Sequence, residues 1–595
     1  MVKKKKVKKV LASAKDKSTE KLQGFFKDKV TSKDLKSIQK IGILIIFLIL
    51  GLIALDINKA ESYRKYERIA FRSAGATLYA NLYYPSKALT FQDKRPLIIF
   101  CHGIGSQRDF DLRIPIEFTK RGFYVVALDY QGHGESGGNI NNIDQATSIP
   151  ALAQDCTKLL EKLKTLPFYS NVNTSQIGLI GHSLGGMVVL MNQALNPEFL
   201  VTVALAPLVN FTPPQYGLRW EGYEQYIPAN LINTTNTKNL LIIMHKDDEA
   251  LDFTKHAVKA QELTNCTLYN ITQPLLGGGH QLFSYEVIVE SIKWFELHFF
   301  NSEVINGPIT ITYIRNYVLI FLNLGLLLFI VFLLISFSSQ FFKITSEPKP
   351  EDIKTEKEPF PKRKKIFRVI QIVFYSLAFI INWQLFASYF GLIGIFYASF
   401  TFSLFYAVVK IITYLIRFKK QRVESYRKEF LNLMKEELEP KVLIYSLICA
   451  WYFIIIYLIF SFYYPFGFMW PSNIINVFIS IFFFPIYLSI ELLFRKFIYP
   501  HLDFIKTEKT KAKITTILAF IIYVNMMILA SAYSYLPSVL FTFIILLIVT
   551  IFNTIIYRHT RRFSAVLLSS FNIIQLFFSA VISNVIGVGT VFLLF

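Results

Sequence analysis

The sequence predicts an α/β unit, a mostly parallel sheet with helices on both faces, joined to an α-helical multispan membrane domain. Three observations carry that prediction. Hydrophobic residues make up 53% of the 595 residues and charged residues only 17%, too apolar a balance for a wholly soluble chain. The apolar excess gathers after residue 315 and at Ile41–Leu55, in runs near the roughly 20 residues that cross a bilayer as a helix. Between those regions, 61–300 is ordinary in composition and alternates short apolar strands with helix-length segments.

The net charge of +22 would suit a nucleic-acid partner if it were spread over the folded unit, and it is not. Residues 1–40 hold 14 Lys against 4 Asp/Glu, a balance of +10, whereas 61–300 hold 20 Lys/Arg against 22 Asp/Glu, a balance of −2. The charge is a topology signal, and no nucleic acid is expected as a partner. Lysines crowd the side before Ile41–Leu55, while Lys59, Arg64 and Lys65 after it are offset by Asp56 and Glu61. Residues 1–40 therefore read as a basic cytoplasmic tail, with Leu22–Leu35 solvated or lying as a helix on an anionic membrane surface. Residues 41–57 read as a retained transmembrane helix and 61–300 as extracytoplasmic.

Within 61–300, Thr77–Tyr84 alternates as a strand. Leu97–Phe100, Tyr124–Leu128, Ile177–Ile180, Val201–Leu205 and Leu240–Met244 are the short apolar runs of a buried parallel sheet. Ile143–Thr165 is of helix length. The cysteines Cys101, Cys156, Cys266 and Cys449 show no metal-binding spacing, so no metal is expected, and one bridge among the first three stays open. Five N-x-[ST] sequons, at Asn173, Asn210, Asn233, Asn265 and Asn270, all fall in this unit, which fits an extracytoplasmic face.

Residues 317–595 read as a polytopic membrane domain of about eight helices. Spans are expected at Val318–Phe337, Val369–Phe390, Gly391–Ile416, Val442–Tyr463, Ile474–Phe494, Ile514–Tyr535, Ser538–Tyr557 and Phe563–Ile586. The linkers around 338–368, 417–441, 495–513 and 558–562 are rich in Lys/Arg, whereas those around 464–473 and 535–538 carry no charge. That alternation matches a multi-pass chain with a cytoplasmic N-terminus. Lys410 lies near the cytoplasmic end of its span, and Glu491 with Arg495 at i+4 reads as an interfacial ion pair.

The stretch that carries chemistry is Gln176-Ile177-Gly178-Leu179-Ile180-Gly181-His182-Ser183-Leu184-Gly185-Gly186. An apolar strand, G-H-S-L-G-G and a helix opening with Met187 give the strand–turn–helix context of a nucleophile elbow. A serine hydroxyl becomes a useful nucleophile only beside a base and backbone N–H donors. Before the elbow, the strand to Cys101 ends in His102-Gly103-Ile104-Gly105, which would offer the Ile104 N–H to pair with that of Leu184 as an oxyanion hole. Asp129-Tyr130-Gln131-Gly132-His133-Gly134-Glu135-Ser136 forms a second tight turn. After the elbow, the strand Leu240–Met244 leads to His245-Lys246-Asp247-Asp248-Glu249, where Asp248 is the expected acid and Asp247 the alternative. Gly277-Gly278-Gly279-His280 then puts the candidate base, His280, on a flexible loop.

These motifs resemble the α/β-hydrolase superfamily, and within it the monoacylglycerol lipase/serine aminopeptidase-like branch, over about residues 65–300. The order Ser…Asp…His is that of the fold. The resemblance implies hydrolysis of an ester, thioester or amide through acyl-Ser183, with Asp248 and His280 completing the triad and without a cofactor. Members carry G-x-x-D at the acid strand, and here His245 stands at the Gly position. The insertion Val209–Lys238 sits where such enzymes carry a lid, with Tyr216, Trp220, Tyr223 and Tyr226 as aromatic material for an acyl pocket or as an ordinary surface excursion. The segment Ile490–Lys496 also resembles the first motif of the CAAX-protease/bacteriocin-processing membrane family. The second glutamate and the arginine match as Glu491 and Arg495, but Ile490 replaces the first glutamate. After residue 300 the only histidines are His501 and His559, both expected in loops, so the resemblance implies a degenerate relative.

The expected function is a membrane-anchored serine hydrolase acting on a small-molecule or lipid ester beside the bilayer, tethered at Leu55 and Val318. The alternatives are an aminopeptidase-like amide hydrolase, or a receptor or scaffold that uses the unit only to bind.

Overall fold

The computed structural model describes residues 32–86, 92–104, 106–108, 111–273, 275, 278–302, 305, 307–344, 361–420, 423–463, 477–478, 480–531 and 536–581. Most of the basic tail, much of the linker around 338–368, the linker around 464–473, the start of the expected span Ile474–Phe494 and the ends of Ile514–Tyr535 and Phe563–Ile586 lie outside them. The chain divides into two compact units, one containing Leu52–Leu322 and the other containing Asn323–Ile456 and Pro485–Ile573.

In the first unit eight strands form one sheet: β1 (Tyr63–Ser73), β2 (Ala76–Pro85), β3 (Arg95–Cys101), β4 (Tyr124–Asp129), β5 (Val172–His182), β6 (Val201–Leu205), β7 (Leu240–His245) and β8 (Thr267–Ile271). Their order is β1-β2-β4-β3-β5-β6-β7-β8. β1 and β4 run antiparallel to β2, and the remaining pairs are parallel. β4, β6 and β7 are buried at every residue, as expected of strands covered on both faces. Helices α2 (Arg113–Lys120), α3 (Asp155–Lys164), α4 (Leu184–Leu195) and α5 (Tyr285–Phe300) join them. The parallel arrangement brings the C-terminal ends of β3, β5 and β7 to one edge of the sheet, where ligand sites of such folds lie.

The segment Ile143–Thr165 differs from expectation. Ile143–Asp144 pairs with Ile149–Pro150 as a short hairpin, and the helix starts only at Asp155. Pro150 lacks the N–H that a continuous helix would need there. Trp220 is wholly buried in the core while Tyr216 and Tyr223 pack against it from outside, so at least Trp220 of the lid-position insertion serves packing. Cys101 and Cys156 lie buried with their Sγ atoms 3.4 Å apart as free thiols.

The entering helix α1 (Ser32–Ala60) begins before the expected residue 41, and α6 (Tyr313–Phe341) leaves the unit. Asn58 donates to Asn316 at 3.4 Å, and Arg315 pairs with Glu61 at 2.6 Å. A Cβ on Gly51 would lie 2.0 Å from Asn323 Oδ1, so the absence of a side chain lets the two helices approach.

Six helices among the described residues are long and apolar enough to cross a membrane: Leu35–Ala60, Tyr313–Phe341, Lys362–Phe386, Arg427–Ile459, Glu508–Ile528 and Phe543–Thr560. Tyr397–Thr413 and Phe563–Ser579 are shorter apolar helices. The expected spans Val369–Phe390 and Gly391–Ile416 lie in one helical run, α7 (Lys362–Lys420). That run doubles back, because Asn382 donates to the Ala398 carbonyl at 3.0 Å and the Phe379 and Phe402 rings meet at 5.0 Å. Sixteen residues of straight helix would separate Asn382 from Ala398 by about 24 Å. The Glu491–Arg495 pair is corrected. It is fully buried, enclosed by Asn553, Thr550 and Thr554, because residues distant in sequence surround it.

Candidate active site

Strand β5 ends at His182, and α4 begins at Leu184. Ser183 between them sits at φ 55°, ψ −117°, a conformation costly to any residue with a Cβ. Its N–H donates to the Leu205 carbonyl at 2.8 Å, which ties the turn to β6. The flanking glycines are a steric necessity. A Cβ on Gly181 would stand 2.2 Å from the Gly185 carbonyl oxygen, and one on Gly185 would stand 2.2 Å from that of Cys101.

Three side chains meet at this turn. His280 Nε2 lies 3.0 Å from Ser183 Oγ, and His280 Nδ1 lies 2.9 Å from Asp248 Oδ2 and 3.0 Å from Oδ1. An ionised carboxylate only accepts, so Nδ1 carries the proton and Nε2 is left to accept from the serine hydroxyl. Asp248 also accepts the N–H groups of Ala250 and Leu251, each at 2.8 Å. Burial raises the pKa of its carboxyl, but the hydrogen bond and charge of His280 with those two N–H groups outweigh burial and hold it below the usual value. Asp247 is exposed, and its N–H donates to His245 Nδ1 at 3.0 Å. The structure therefore brings Asp248, and not Asp247, to His280.

The turn His102-Gly103-Ile104 passes beside the serine, since a Cβ on Gly103 would be 3.5 Å from Ser183 Cβ. Ile104 is exposed and Leu184 buried. His102 is a brace: it stacks on Tyr130 at 4.7 Å, its Nδ1 contacts the Gly103 carbonyl at 2.8 Å, and its Nε2 is 3.3 Å from Asp129. His133 is buried and its pKa falls to about 3, burial being the main cause. His256 accepts the Val209 N–H at 2.9 Å.

Two residues that sequence reasoning did not single out for a role hold His280. Glu249 accepts the backbone N–H of His280 at 3.1 Å, and His182 Nε2 meets the His280 carbonyl at 2.7 Å. Arg113, paired with Asp111, donates to the Leu282 carbonyl at 2.8 Å. The only sequence signal for Glu249 was its place next to Asp248. Among the described residues, no group of three His, Cys, Asp or Glu gathers as a metal site would require.

Residues 92–272 match the family profile described as "Serine aminopeptidase, S33". Platelet-activating factor acetylhydrolase of Cavia porcellus is 24% identical over 172 residues, covering 22% of this chain and 39% of that protein. Monoacylglycerol lipase of Mycolicibacterium smegmatis is 27% identical over 121 residues, covering 20% of this chain and 40% of that protein. The chain thus spans about two fifths of the length of each. Among solved structures, ferulic-acid-bound Est1E of Butyrivibrio proteoclasticus aligns with 20% identity and a TM-score of 0.31, over 38% of this chain and 98% of that one. Residues 92–272 belong to the serine aminopeptidase branch of the α/β-hydrolase superfamily.

Proposed function

We propose that the chain is a membrane-anchored serine hydrolase that cleaves an ester, foremost a lipid or acyl ester, through an acyl-Ser183 intermediate. The observation that supports this reading most is the continuous contact from Ser183 Oγ through His280 to Asp248, at 3.0 Å and 2.9 Å. His280 takes the Ser183 proton as Oγ attacks the acyl carbon, then passes that proton to the leaving alcohol oxygen as the ester bond breaks. Asp248 stabilises the imidazolium, and the N–H groups of Ile104 and Leu184 receive the oxyanion. Water then attacks the acyl-serine by the same route in reverse. The relatives named as an acetylhydrolase and a lipase favour an ester substrate.

The proposed layout is a cytoplasmic tail (1–40), a transmembrane helix (41–57), an extracytoplasmic hydrolase domain (61–300) and a multi-pass domain (317–595). Six helices of spanning length support the membrane part. The family description favours one second reading, cleavage of an amide as in an aminopeptidase.

The test is labelling of the detergent-solubilised chain with a fluorophosphonate probe, wild type beside Ser183→Ala. Labelling confined to the wild type is expected, and an unlabelled but folded wild type would sink the proposal. Turnover that rises with acyl length across an ester series supports the lipid ester. Turnover of aminoacyl amides alone supports the second reading.

A further inference from the structure

The five sequons of the first unit have a structural property in common that most other asparagines around them lack. Asn210, Asn233, Asn265 and Asn270 are exposed and Asn173 is half-buried. Among the described residues, no hydrogen bond engages the Nδ2 of any of the five. Asn141, Asn142, Asn192, Asn196, Asn230 and Asn236 of the same unit commit theirs to carbonyl or side-chain oxygens. An asparagine that holds a turn together cannot give up its amide nitrogen without cost, whereas these five can.

Two of them are further organised. At Asn173 the side-chain Oδ1 accepts both the Ser175 N–H at 3.1 Å and the Ser175 hydroxyl at 2.7 Å. At Asn233 it accepts the Thr235 N–H at 2.9 Å and the Thr235 hydroxyl at 2.6 Å. In both, the third residue of the sequon is folded against the acceptor amide, which occupies Oδ1 and leaves Nδ2 uncommitted. This is the Asx-turn habit of Asn followed two residues on by a hydroxyl.

We infer that Asn173 and Asn233 are N-glycosylation acceptor sites. The co-reactant is a lipid-pyrophosphate-linked oligosaccharide presented by a membrane transferase on the extracytoplasmic face. The Asn Nδ2–C1 bond forms as the C1–oxygen bond to the pyrophosphate breaks. The pyrophosphate leaves with the bonding electrons, and Nδ2 loses one proton to the transferase. The inference rests on the proposed extracytoplasmic orientation of residues 61–300 and is independent of the hydrolase chemistry.

The test uses the full chain purified from its own membranes. Tryptic peptides bearing Asn173 and Asn233 are read by mass spectrometry for hexose and N-acetylhexosamine increments, and orientation is measured separately with a membrane-impermeant protease on sealed vesicles. Expected are sugar-bearing peptides at both sites, loss of one glycan in each of Ser175→Ala and Thr235→Ala, and retention in Thr235→Ser. Protease access from outside with both asparagines unmodified would overturn the acceptor assignment while leaving the orientation standing. Access only after permeabilisation would overturn the orientation itself. Sugar that persists in both alanine variants would overturn the assignment even if the peptides are glycosylated elsewhere.

Discussion

His182 Nε2 and the main-chain carbonyl oxygen of His280 are 2.7 Å apart, so the residue preceding Ser183 holds the backbone of the residue whose ring faces Ser183 Oγ. The contact matters because His280 follows Gly277-Gly278-Gly279, a run with little conformational preference of its own. Burial, aided by the nearby His280, lowers the His182 pKa to about 4, so the ring stays neutral with Nε2–H donating at neutral pH. Glu249 fixes the same residue from the other side through its N–H at 3.1 Å.

Positioning of this kind should appear in kcat more than in KM. His182→Ala and Glu249→Ala are each expected to lower kcat about tenfold, or about 1.4 kcal/mol in barrier, with KM for a short soluble ester nearly unchanged. Glu249→Gln, which keeps an acceptor oxygen, should recover most of the loss. Steady-state kinetics on the solubilised protein gives the answer, and a rise in KM alone would assign these residues to substrate contact instead.

The elbow gives a prediction about stability. Ser183 at φ 55° lies where a Cβ is unwelcome and glycine is not. Ser183→Gly and Ser183→Ala both remove the hydroxyl, so they differ in backbone strain. The glycine variant should be more stable than the alanine variant by about 1 kcal/mol, which corresponds to a Tm difference of a few degrees. Equal melting temperatures in a calorimeter would mean that the turn is not strained.

The parts of this architecture that were legible in the sequence share a cause. Each motif at the site is a turn at the end of a buried strand, where glycine spacing and polar residue type are dictated by sterics and chemistry together. Edge strands offer no such constraint. β1 carries Lys65, Glu67, Arg68 and Arg72 and β8 is buried only at Ile271, so neither shows a continuous apolar run. Glu249 acts on a backbone N–H 31 residues away, which no local pattern announces. The i,i+4 spacing of Glu491 and Arg495 gave their pairing, while their burial depends on Asn553 and Thr550, 62 and 55 residues further along.

Two buried carboxyls of the first unit should respond oppositely to pH. Burial would raise the Asp129 pKa, but the Arg108 guanidinium and the His102 ring beside it prevail and hold it at about 2. A depressed folded pKa contributes stability above the unfolded value near 3.8 that is lost as pH falls toward 2, here about 2 kcal/mol. Asp155, between Ser73 and the Gln131 N–H, is raised by burial to about 7. Its neutral form contributes stability that is complete below about 4 and is lost as pH rises through about 7. Urea midpoints from pH 2 to pH 9 should therefore show a shallower acid slope in Asp129→Asn and a shallower alkaline slope in Asp155→Asn. Unchanged slopes in either variant would remove that residue from the account.

The buried pair Glu491 and Arg495 yields the last prediction. Arg495 donates from Nε to Glu491 at 2.9 Å, to the Thr554 hydroxyl at 2.9 Å and to the Thr550 carbonyl at 3.1 Å, while the other Glu491 oxygen accepts from Asn553 at 3.0 Å. Arg495 also falls in a π-helical stretch, Leu493–Ile498, whose wider turn changes the direction of the side chains that follow Leu492. Because all three guanidinium nitrogens of Arg495 donate to named partners, the pair acts as a link between Leu493–Ile498 and the helix Leu536–Thr560. Removing one member leaves the other as an unpaired charge without water, at a cost of about 3–5 kcal/mol. Removing both, as in Glu491→Leu with Arg495→Met, removes the charge along with the attraction and should cost much less. The double-mutant cycle, read as thermal retention of the detergent-solubilised full chain, should thus show strong positive coupling. Additive losses would mean that the two residues act separately, and the network would then be a set of independent helix contacts.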